Sequence, residues 1–264
     1  MSQVHYSFFR RGPNFFYSSL LFPREVRGDV AVLYSFVRYV DDLVDRPEPL
    51  VGDFYRAWRL LEGAWRGVVR APVISDFVDL AFRRGFPWRW VEAFMASMEM
   101  DLYKRKYYTY RELLKYIYGS AEVVGLFMAK ILGVPSAGYK YAALLGRAYQ
   151  LINMIRDVAE DLRLGRQYIP QEDLDKFGAV SVAPTPEFAE VLRFELSRYF
   201  ETQRAALRGL AYIPPRLRRA VWAASRLYWR TASVIYRRPL VVFEKKVRPG
   251  MAYVLGVWLA AYLR

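Results

Sequence analysis

The sequence predicts an all-α protein, and three observations support that class. Apolar residues recur at three- and four-residue spacing along nearly the whole chain of 264 residues, which is the period of an amphipathic helix. Alternating apolar and polar runs bounded by turns, the pattern of strands, are absent. Helix-start signals agree, since Thr109 to Glu112 (TYRE) reads as a capping box and Thr185 precedes Pro186 at a first helical position.

The predicted helices follow one another through short connections. Proline- and glycine-containing breaks fall at 46–49, 70–72, 84–87, 133–138, 165–170, 183–186 and 213–215. With no long linker and no internal repeat, they predict roughly eight to eleven helices in a single domain over 1–264. The uncharged tail at 251–263 is shorter than the about 20 residues of a membrane span. We expect a closing core helix there, with contact to a membrane surface as the alternative.

Composition narrows the chemistry. The chain has no cysteine, which excludes disulfides and thiolate metal sites and favours a cytoplasmic location. Its single histidine, His5, argues against a histidine triad or a histidine-rich metal site. Aromatic residues make up 17% of the sequence, which suggests a protein that encloses apolar surface. The scarcity of asparagine and cysteine favours a thermophilic source.

Positive charge is concentrated near the C-terminus. The formal net charge is +14, and the segment 214–249 holds ten Arg and Lys residues against Glu244 alone, with aromatic residues between them. Such a pattern suits an anionic membrane surface or a wall that faces phosphate groups. A nucleic-acid partner is not expected, because no binding motif accompanies the charge. We expect peripheral contact with the inner face of the membrane through this basic region.

The segment 27–45 predicts a helix with one polar stripe. At about 100° per residue, its polar side chains share an arc of about 100° while the other faces are apolar. These side chains are Tyr34, Arg38, Asp41, Asp42 and Asp45. Taken alone, such spacing is usually a solvated helix face.

A second segment, 149–170, repeats the arrangement. Gln150, Asn153, Asp157 and Asp161 fall on one face of an otherwise apolar helix, and Gly165 can end it. If the two stripes face each other, their carboxylates repel unless cations lie between them. All-oxygen ligands favour a hard ion, and Mg²⁺ binds through one or two carboxylates together with substrate phosphates. The pattern therefore suggests ionisation of a diphosphate, with aromatic faces stabilising the carbocation.

The two stripes resemble a known family. YSFVRYVDDLVD (34–45) and QLINMIRDVAEDLRLGRQYIP (150–170) are similar to motifs of the squalene/phytoene synthases, the head-to-head trans-isoprenyl diphosphate synthases. The stretch 100–125, which includes KYIYGSAEVVG, extends the likeness, which covers about residue 10 to about residue 245. The resemblance implies an isoprenoid-synthase helical bundle around a central active-site cavity.

The resemblance also implies a reaction. Two prenyl diphosphates would condense to a cyclopropylcarbinyl diphosphate, which rearranges to a linear hydrocarbon, with Mg²⁺, or Mn²⁺ in its place, as the cofactor. We favour phytoene from two geranylgeranyl diphosphates, a carotenoid precursor, for which NADPH is not expected. The alternative is squalene or dehydrosqualene from two farnesyl diphosphates. Ser18, Ser19 and Ala31 favour the longer substrate because they are small, although small residues also serve close helix packing.

Site residues follow from matched motif positions. The implied metal ligands are Asp41, Asp45, Asn153, Asp157 and Asp161, with Asp42 assisting. Those expected to contact diphosphate or the metal shell are Tyr34, Arg38, Gln150, Asn153, Arg156, Arg166 and Tyr168. Those expected near the reacting carbons are Tyr116, Ala121, Val124 and Gly125.

One segment departs from the family pattern. Where members often have Ser-Lys-Ser/Thr-Phe, this chain has Gly12, Pro13, Asn14 and Phe15. We expect Asn14 and Phe15 to contribute to substrate binding, with the preceding arginines replacing the usual cation.

Other interpretations remain open at the level of sequence. A head-to-tail chain elongase would more typically carry a second D-D-x-x-D motif where this chain has RDVAED, 156–161. A catalytically silent membrane-docking or assembly relative would have no reason to keep carboxylates that repel one another. For the final deprotonation, a tyrosine and the departing diphosphate are both candidate proton acceptors.

Overall fold

The computed structural model describes residues 18–263, most of which are helical. These residues form thirteen helices, more than the predicted eight to eleven, because three of the thirteen are short helices of six residues or fewer. In chain order the helices are α1 (Arg24–Val44), α2 (Val51–Trp65), α3 (Pro72–Arg84), α4 (Trp88–Tyr103), α5 (Tyr110–Ile117), α6 (Val123–Ile131), α7 (Tyr139–Arg156), α8 (Val158–Arg163), α9 (Gln171–Lys176), α10 (Pro186–Leu207), α11 (Pro215–Arg237), α12 (Val241–Glu244) and α13 (Met251–Tyr262). Across 18–263 there is no strand, only an isolated bridge between Lys106 and Gln167, so the all-α prediction is confirmed.

Helix ends follow the sequence signals. Thr109 caps α5 by accepting a hydrogen bond from the Glu112 backbone N–H at 3.1 Å, as the capping box predicts. Thr185 caps α10 in the same way, with Pro186 at its first position. Gly85 ends α3 at φ 66°, a left-handed conformation that glycine adopts without a Cβ clash.

Helix α1 and the second acidic segment differ from the predicted bounds. Helix α1 begins at Arg24, directly after Pro23, and ends one residue before Asp45. The second segment is not one helix, because Asp157, at φ −99° and ψ 9°, separates α7 from α8. Neighbouring helical residues point about 100° apart. The local unwinding lets Arg156 donate two hydrogen bonds to the Asp157 carboxylate, at 2.8 and 2.6 Å.

One continuous hydrophobic core joins the helices from α1 to α12. A chain of aromatic contacts runs through it: Phe36 of α1 stacks on Phe77 of α3 at 3.7 Å, and both lie near Phe94 or Phe127. These rings fix α1 against α3, α4 and α6. The polar stripe of α1 is therefore held on the opposite side, away from the core.

A π-helical turn, Tyr118–Glu122, joins α5 to α6. Such turns rotate the side chains that follow and often lie at functional sites. A Cβ at Gly125, just beyond the turn, would lie 2.2 Å from the Ala142 carbonyl oxygen of α7. The backbones of α6 and α7 therefore meet at a distance that only glycine permits.

A buried acidic pair lies away from the stripes, between α9 and α10. Arg198 pairs with Asp173 at 2.9 Å and with Glu195 at 2.7 Å. Burial and a hydrogen bond with Asp173 raise the pKa of Glu195 to about 8. One arginine compensates one carboxylate, so Glu195 keeps its proton at neutral pH.

The C-terminal helix packs on the outside of the fold. Val254, Val257 and Ala261 of α13 form a small second core with Ala223 and Leu227 of α11. The predicted closing helix is thus present. Within 18–263, no helix combines the length and the apolar character needed to cross a bilayer.

Candidate active site

The acidic stripes open into one cavity of about 830 Å³. Its walls come from α1, α4, the π-helical turn, α6, α7, α8 and α11. Part of the lining is charged, with seven carboxylates and six Arg or Lys side chains, and the rest is apolar and aromatic. The volume lies in the upper part of the range of about 300–1,000 Å³ for ligand pockets.

On α1, the predicted stripe carries its own cation. Arg38 pairs with Asp41 at 2.5 Å and with Asp42 at 2.7 Å, one turn further along the helix. The Arg38 Nε is buried and has no hydrogen-bond partner. A donor left over in this position can serve an anionic ligand in the cavity.

Asp45 contacts the second acidic segment. Its carboxylate accepts from Arg166 Nη1 at 3.0 Å, and Arg166 also donates to the Val44 carbonyl oxygen at 2.5 Å. Arg166 is 3% exposed, and 121 residues separate it from Asp45 in the chain. This buried arginine ties the end of α1 to the loop after α8, so the two stripes line the same cavity as the sequence suggested.

Burial leaves two carboxylates insufficiently neutralised. It raises the pKa of Asp41 to about 7, with further contributions from Asp45 and Asp101, against the opposing effect of Arg38. It raises the pKa of Asp161 to about 8, with further contributions from Asp157 and Asp45.

Asp157 behaves differently. Burial acts to raise its pKa, but hydrogen bonds from Arg156 and Lys246 outweigh burial and lower it. Asp41 and Asp161 are therefore the two of these three carboxylates whose negative charge a bound cation would stabilise most.

The donor set matches a hard divalent cation. Asn153 lies one helical turn before Asp157, and its Oδ1 atom is buried without a hydrogen-bond partner. Asn153 shares its cavity with the incompletely neutralised Asp41 and Asp161, and oxygen ligands of these two kinds are those that Mg²⁺ takes. No three acidic or histidine side chains among residues 18–263 converge on one point. An ion bound here would need oxygens from a substrate as well.

Asp101 is a site residue that sequence reasoning missed. It lies on α4, is 3% exposed and accepts from the hydroxyls of Tyr116 at 2.8 Å and Tyr168 at 2.7 Å. Those two rings and Tyr107 lie 5.3 to 5.8 Å apart, centroid to centroid, and form a tyrosine wall. Burial raises the pKa of both Tyr116 and Tyr168 well above the ordinary value, so both phenols stay protonated. Asp101 stands alone on an apolar helix face, so no local pattern marks it.

A second aromatic pair lines the cavity. Tyr149 of α7 and Tyr228 of α11 stack with centroids 4.2 Å apart, and the Tyr149 hydroxyl lies 2.8 Å from Ser225 Oγ. Ring faces fixed in this way can stabilise a carbocation.

The basic region 214–249 divides into parts. Lys246 and Arg248 line the cavity, where Lys246 pairs with Asp157 at 3.2 Å and with Glu160 at 2.8 Å. Arg238 pairs with Glu244 at 2.6 Å. A phosphate-facing wall stays a prediction for Lys246 and Arg248, since the arginines of α11 are not among the described lining residues.

Every predicted site residue within 18–263 lines this cavity. They are Tyr34, Arg38, Asp41, Asp45, Tyr116, Ala121, Val124, Gly125, Gln150, Asn153, Arg156, Asp157, Asp161, Arg166 and Tyr168. Asn14 and Phe15 lie outside the described residues. Ser18 and Ser19 line the cavity, whereas Ala31 is buried and is not among the described lining residues.

Comparisons with known proteins agree on the family. Residues 9–252 match the family model for squalene/phytoene synthase. The chain is 33% identical to a 15-cis-phytoene synthase from Paracoccus sp., over 90% of this chain and 82% of that protein. It is 31% identical to a 15-cis-phytoene synthase from Synechocystis sp., over 94% of this chain and 81% of that one.

Solved structures agree on the fold. A dehydrosqualene synthase in complex with ligand matches at TM-score 0.91 and 20% identity, covering 99% of this chain and 95% of that one. The squalene synthase HpnC from Alicyclobacillus acidocaldarius matches at TM-score 0.80 and 25% identity, covering 89% and 93%. The chain therefore has the isoprenoid-synthase helical fold and is a prenyl-transferring enzyme that belongs to the squalene/phytoene synthase family.

Proposed function

We propose that this enzyme condenses two geranylgeranyl diphosphates head to head, through a cyclopropylcarbinyl diphosphate, to phytoene in a Mg²⁺-dependent reaction. The observation that carries the proposal is a single cavity in which an acidic, arginine-containing lining adjoins an apolar and tyrosine-rich one. A prenyl diphosphate has the same two parts. The relatives at 33% and 31% identity, both described as 15-cis-phytoene synthases, support the twenty-carbon substrate.

The chain's own cations would hold the diphosphate. Arg38 has a buried Nε without a partner, and Lys246 and Arg248 line the cavity from the other side. When Arg38 turns towards phosphate oxygens, Asp41 and Asp42 lose the partner that they share. Those carboxylates then become available as metal ligands.

Residues of both stripes would hold Mg²⁺, or Mn²⁺ in its place. They are Asp41 and Asp45 at the end of α1, and Asn153, Asp157 and Asp161 around the break between α7 and α8. When bound, the ion would neutralise the diphosphate and make it a better leaving group. The buried Asn153 Oδ1 without a partner is the observation that supports this donor set.

The tyrosines would surround the cationic hydrocarbon. Tyr149 and Tyr228 present stacked rings, and Tyr116 and Tyr168 direct their hydroxyl protons to Asp101. Because burial raises the pKa of both of these phenols, neither is a base at neutral pH. We infer that the departing diphosphate, rather than one of these two tyrosines, accepts the final proton.

The chain length of the substrate has an alternative, namely two fifteen-carbon diphosphates in place of two twenty-carbon ones. Ser18 and Ser19 are small, buried residues on the cavity wall, which supports the longer chain. The likeness to the squalene synthase HpnC favours two fifteen-carbon substrates instead. Since Ala31 is not among the described lining residues, its small size is explained by packing on α1.

The test supplies the fifteen- and twenty-carbon diphosphates separately, each with and without NADPH, and identifies the hydrocarbon by mass. We expect phytoene from the twenty-carbon substrate without NADPH, and no product when Mg²⁺ is chelated. Squalene formed only with NADPH would overturn the choice of product. No hydrocarbon from either substrate would contradict the proposed reaction.

A second experiment addresses the proposed ligands. Asp41→Asn and Asp157→Asn should each abolish turnover while the circular dichroism spectrum and the melting temperature stay near those of the wild type. Asp76→Asn, which removes an exposed carboxylate from α3, is the matched control and should remain fully active. Full activity of both site variants would show that the metal assignment is wrong.

A further inference from the structure

The C-terminal helix presents an apolar face that no side chain of residues 18–263 covers. Met251, Leu255, Leu259, Tyr262 and the adjoining Leu263 are each between 55% and 78% exposed. At about 100° per residue they lie within roughly 120° of one another on α13, away from the face that packs on α11. The helix sequence MAYVLGVWLAAY contains no charged residue. A contiguous apolar face of this kind on a protein surface marks an interaction site.

Helix α11, on which α13 packs, carries a stripe of arginines. At about 100° per residue, these side chains fall within an arc of roughly 80°. They are Arg216, Arg219, Arg226, Arg230 and Arg237. None of the five forms an ion pair with an acidic side chain of residues 18–263. Four of the five are exposed and Arg219 is half-buried, so the acidic side chains of the described part of the chain leave this charge uncompensated.

The stripe adjoins the apolar helix near both of its ends. The Arg219 guanidinium lies 5.9 Å from the Tyr262 ring centroid, and that of Arg230 lies 5.4 Å from the Tyr253 ring centroid. The helices thus run antiparallel, with arginine heads beside aromatic rings at two levels. Arg219 and Arg230 are eleven positions apart, so the stripe extends about 16 Å between them, close to the length of α13.

We propose that the exposed face of α13 and the arginine stripe of α11 form a docking surface for an anionic lipid bilayer. The apolar side chains would enter the boundary between headgroups and acyl chains, with α13 lying in the plane of the membrane. The arginines would bind lipid phosphates. This surface is distinct from the cavity, whose basic residues in the same region are Lys246 and Arg248.

The charge and the apolar face together favour an anionic bilayer over two other partners, a second copy of the chain and nucleic acid. A second copy of the chain would bring an identical row of five uncompensated arginines against the first, which disfavours self-association. Nucleic acid would use the arginines but gain nothing from the exposed leucines. A bilayer with anionic headgroups uses both features. The inference rests on the proposed function in one respect: the forty-carbon hydrocarbon product dissolves in lipid and not in water, so a bilayer beside the enzyme would receive it.

Vesicle sedimentation with the full chain tests the surface without any substrate, so its result is independent of whether phytoene is the product. We expect binding to vesicles of phosphatidylcholine with about 30% phosphatidylglycerol, because the negative surface potential of anionic lipids attracts basic segments. Binding to pure phosphatidylcholine should be much weaker, and salt should reduce binding to the anionic vesicles.

Two pairs of variants separate the apolar and the charged contributions. Leu255→Asp with Leu259→Asp should reduce binding at least tenfold. Arg226→Gln with Arg230→Gln should reduce it about 25-fold, at about fivefold for each arginine. The matched control, Arg59→Gln with Arg66→Gln, removes the same charge from exposed positions on and beside α2 and should bind like the wild type.

Several outcomes would overturn the proposal. They are no binding to anionic vesicles at low salt, binding by the leucine or the arginine variant as tight as that of the wild type, or a loss in the α2 control as large as in the arginine variant. A dimer in solution that Leu255→Asp with Leu259→Asp dissociates would assign the face to a second copy. Tighter binding to a DNA duplex than to the anionic vesicles would assign the arginines to nucleic acid. Phytoene formation in detergent micelles should be unchanged in both pairs of variants.

Discussion

Asp101 allows a direct test of whether the tyrosine wall must be held in place for turnover. In Asp101→Asn the side chain keeps its shape, but one oxygen becomes an amide NH₂ that cannot accept from a phenol. The hydroxyls of Tyr116 and Tyr168, now at 2.8 and 2.7 Å from the carboxylate, would then share one neutral acceptor. One ring must therefore turn or lose its hydrogen bond.

The magnitude follows from these contacts. A hydrogen bond to a charged group contributes about 1.5–3 kcal/mol, and one between neutral groups about 0.5–1.5 kcal/mol. Losing one charged bond and weakening the other costs about 3 kcal/mol. Burial raises the pKa of Asp101, which shows that its buried charge is unfavourable. The neutral amide removes this unfavourable charge, so the free energy of unfolding should fall by only about 1–2 kcal/mol. If the rings are aligned mainly for the transition state, kcat should fall about 10- to 100-fold.

The assay compares kcat, KM and urea unfolding for Asp101→Asn, Tyr116→Phe and the double variant. A positioning role predicts a large fall in kcat with KM nearly unchanged. The losses in the two single variants should be less than additive in the double variant, because both remove the same hydrogen bond. Glu92→Gln, an exposed change on the same helix, is the control. A kcat within twofold of the wild type for Asp101→Asn would refute the reasoning.

Three further expectations concern stability and product length. Glu195, whose pKa is raised from 4.5 to about 8, contributes stability that is full below about pH 4.5 and is lost as the pH rises towards 8. Glu195→Gln should therefore reduce the difference in the free energy of unfolding between pH 5 and pH 8 by about 3 kcal/mol, measured by urea titration. Gly125→Ala should destabilise the fold by about 2–3 kcal/mol, because its Cβ would lie 2.2 Å from the Ala142 carbonyl oxygen. Gly28→Ala, which meets nothing within 4 Å, should be neutral or stabilising in the same thermal melts. Ser19→Phe fills part of the cavity wall, so the ratio of forty- to thirty-carbon product from mixed substrates should fall, as measured by mass spectrometry.

Local features of the site could be predicted from the sequence because they depend only on helical spacing. Arg38, Asp41 and Asp42 pair along α1 as the i, i+3 and i+4 relation requires. Gln150 and Asn153 fall on the cavity side of α7 for the same reason. A period of 3.6 residues is sufficient to place such groups on a common face.

The long-range contacts could not be predicted in this way. Asp101 is 15 residues from Tyr116 and 67 residues from Tyr168, so its role depends on how α4 packs rather than on a local pattern. The break at Asp157 has the same origin, since it depends on a pairing between adjacent side chains that an ideal helix forbids. Likewise, the basic run 214–249 looked like one surface. In the structure Lys246 lines the cavity and pairs with Asp157, whereas the described lining includes no arginine of α11.

The charge balance of the cavity explains why so acidic a lining can exist in an apolar fold. Seven carboxylates face six Arg or Lys side chains, so the formal charges of the described lining nearly cancel. A diphosphate entering alone would upset that balance, and so would a divalent cation entering alone. The two together change the net charge least, because each compensates the other in a region of low dielectric constant. We therefore expect the arginine pairs on α1 to open only when metal and diphosphate arrive together, which couples cofactor binding to the presence of substrate.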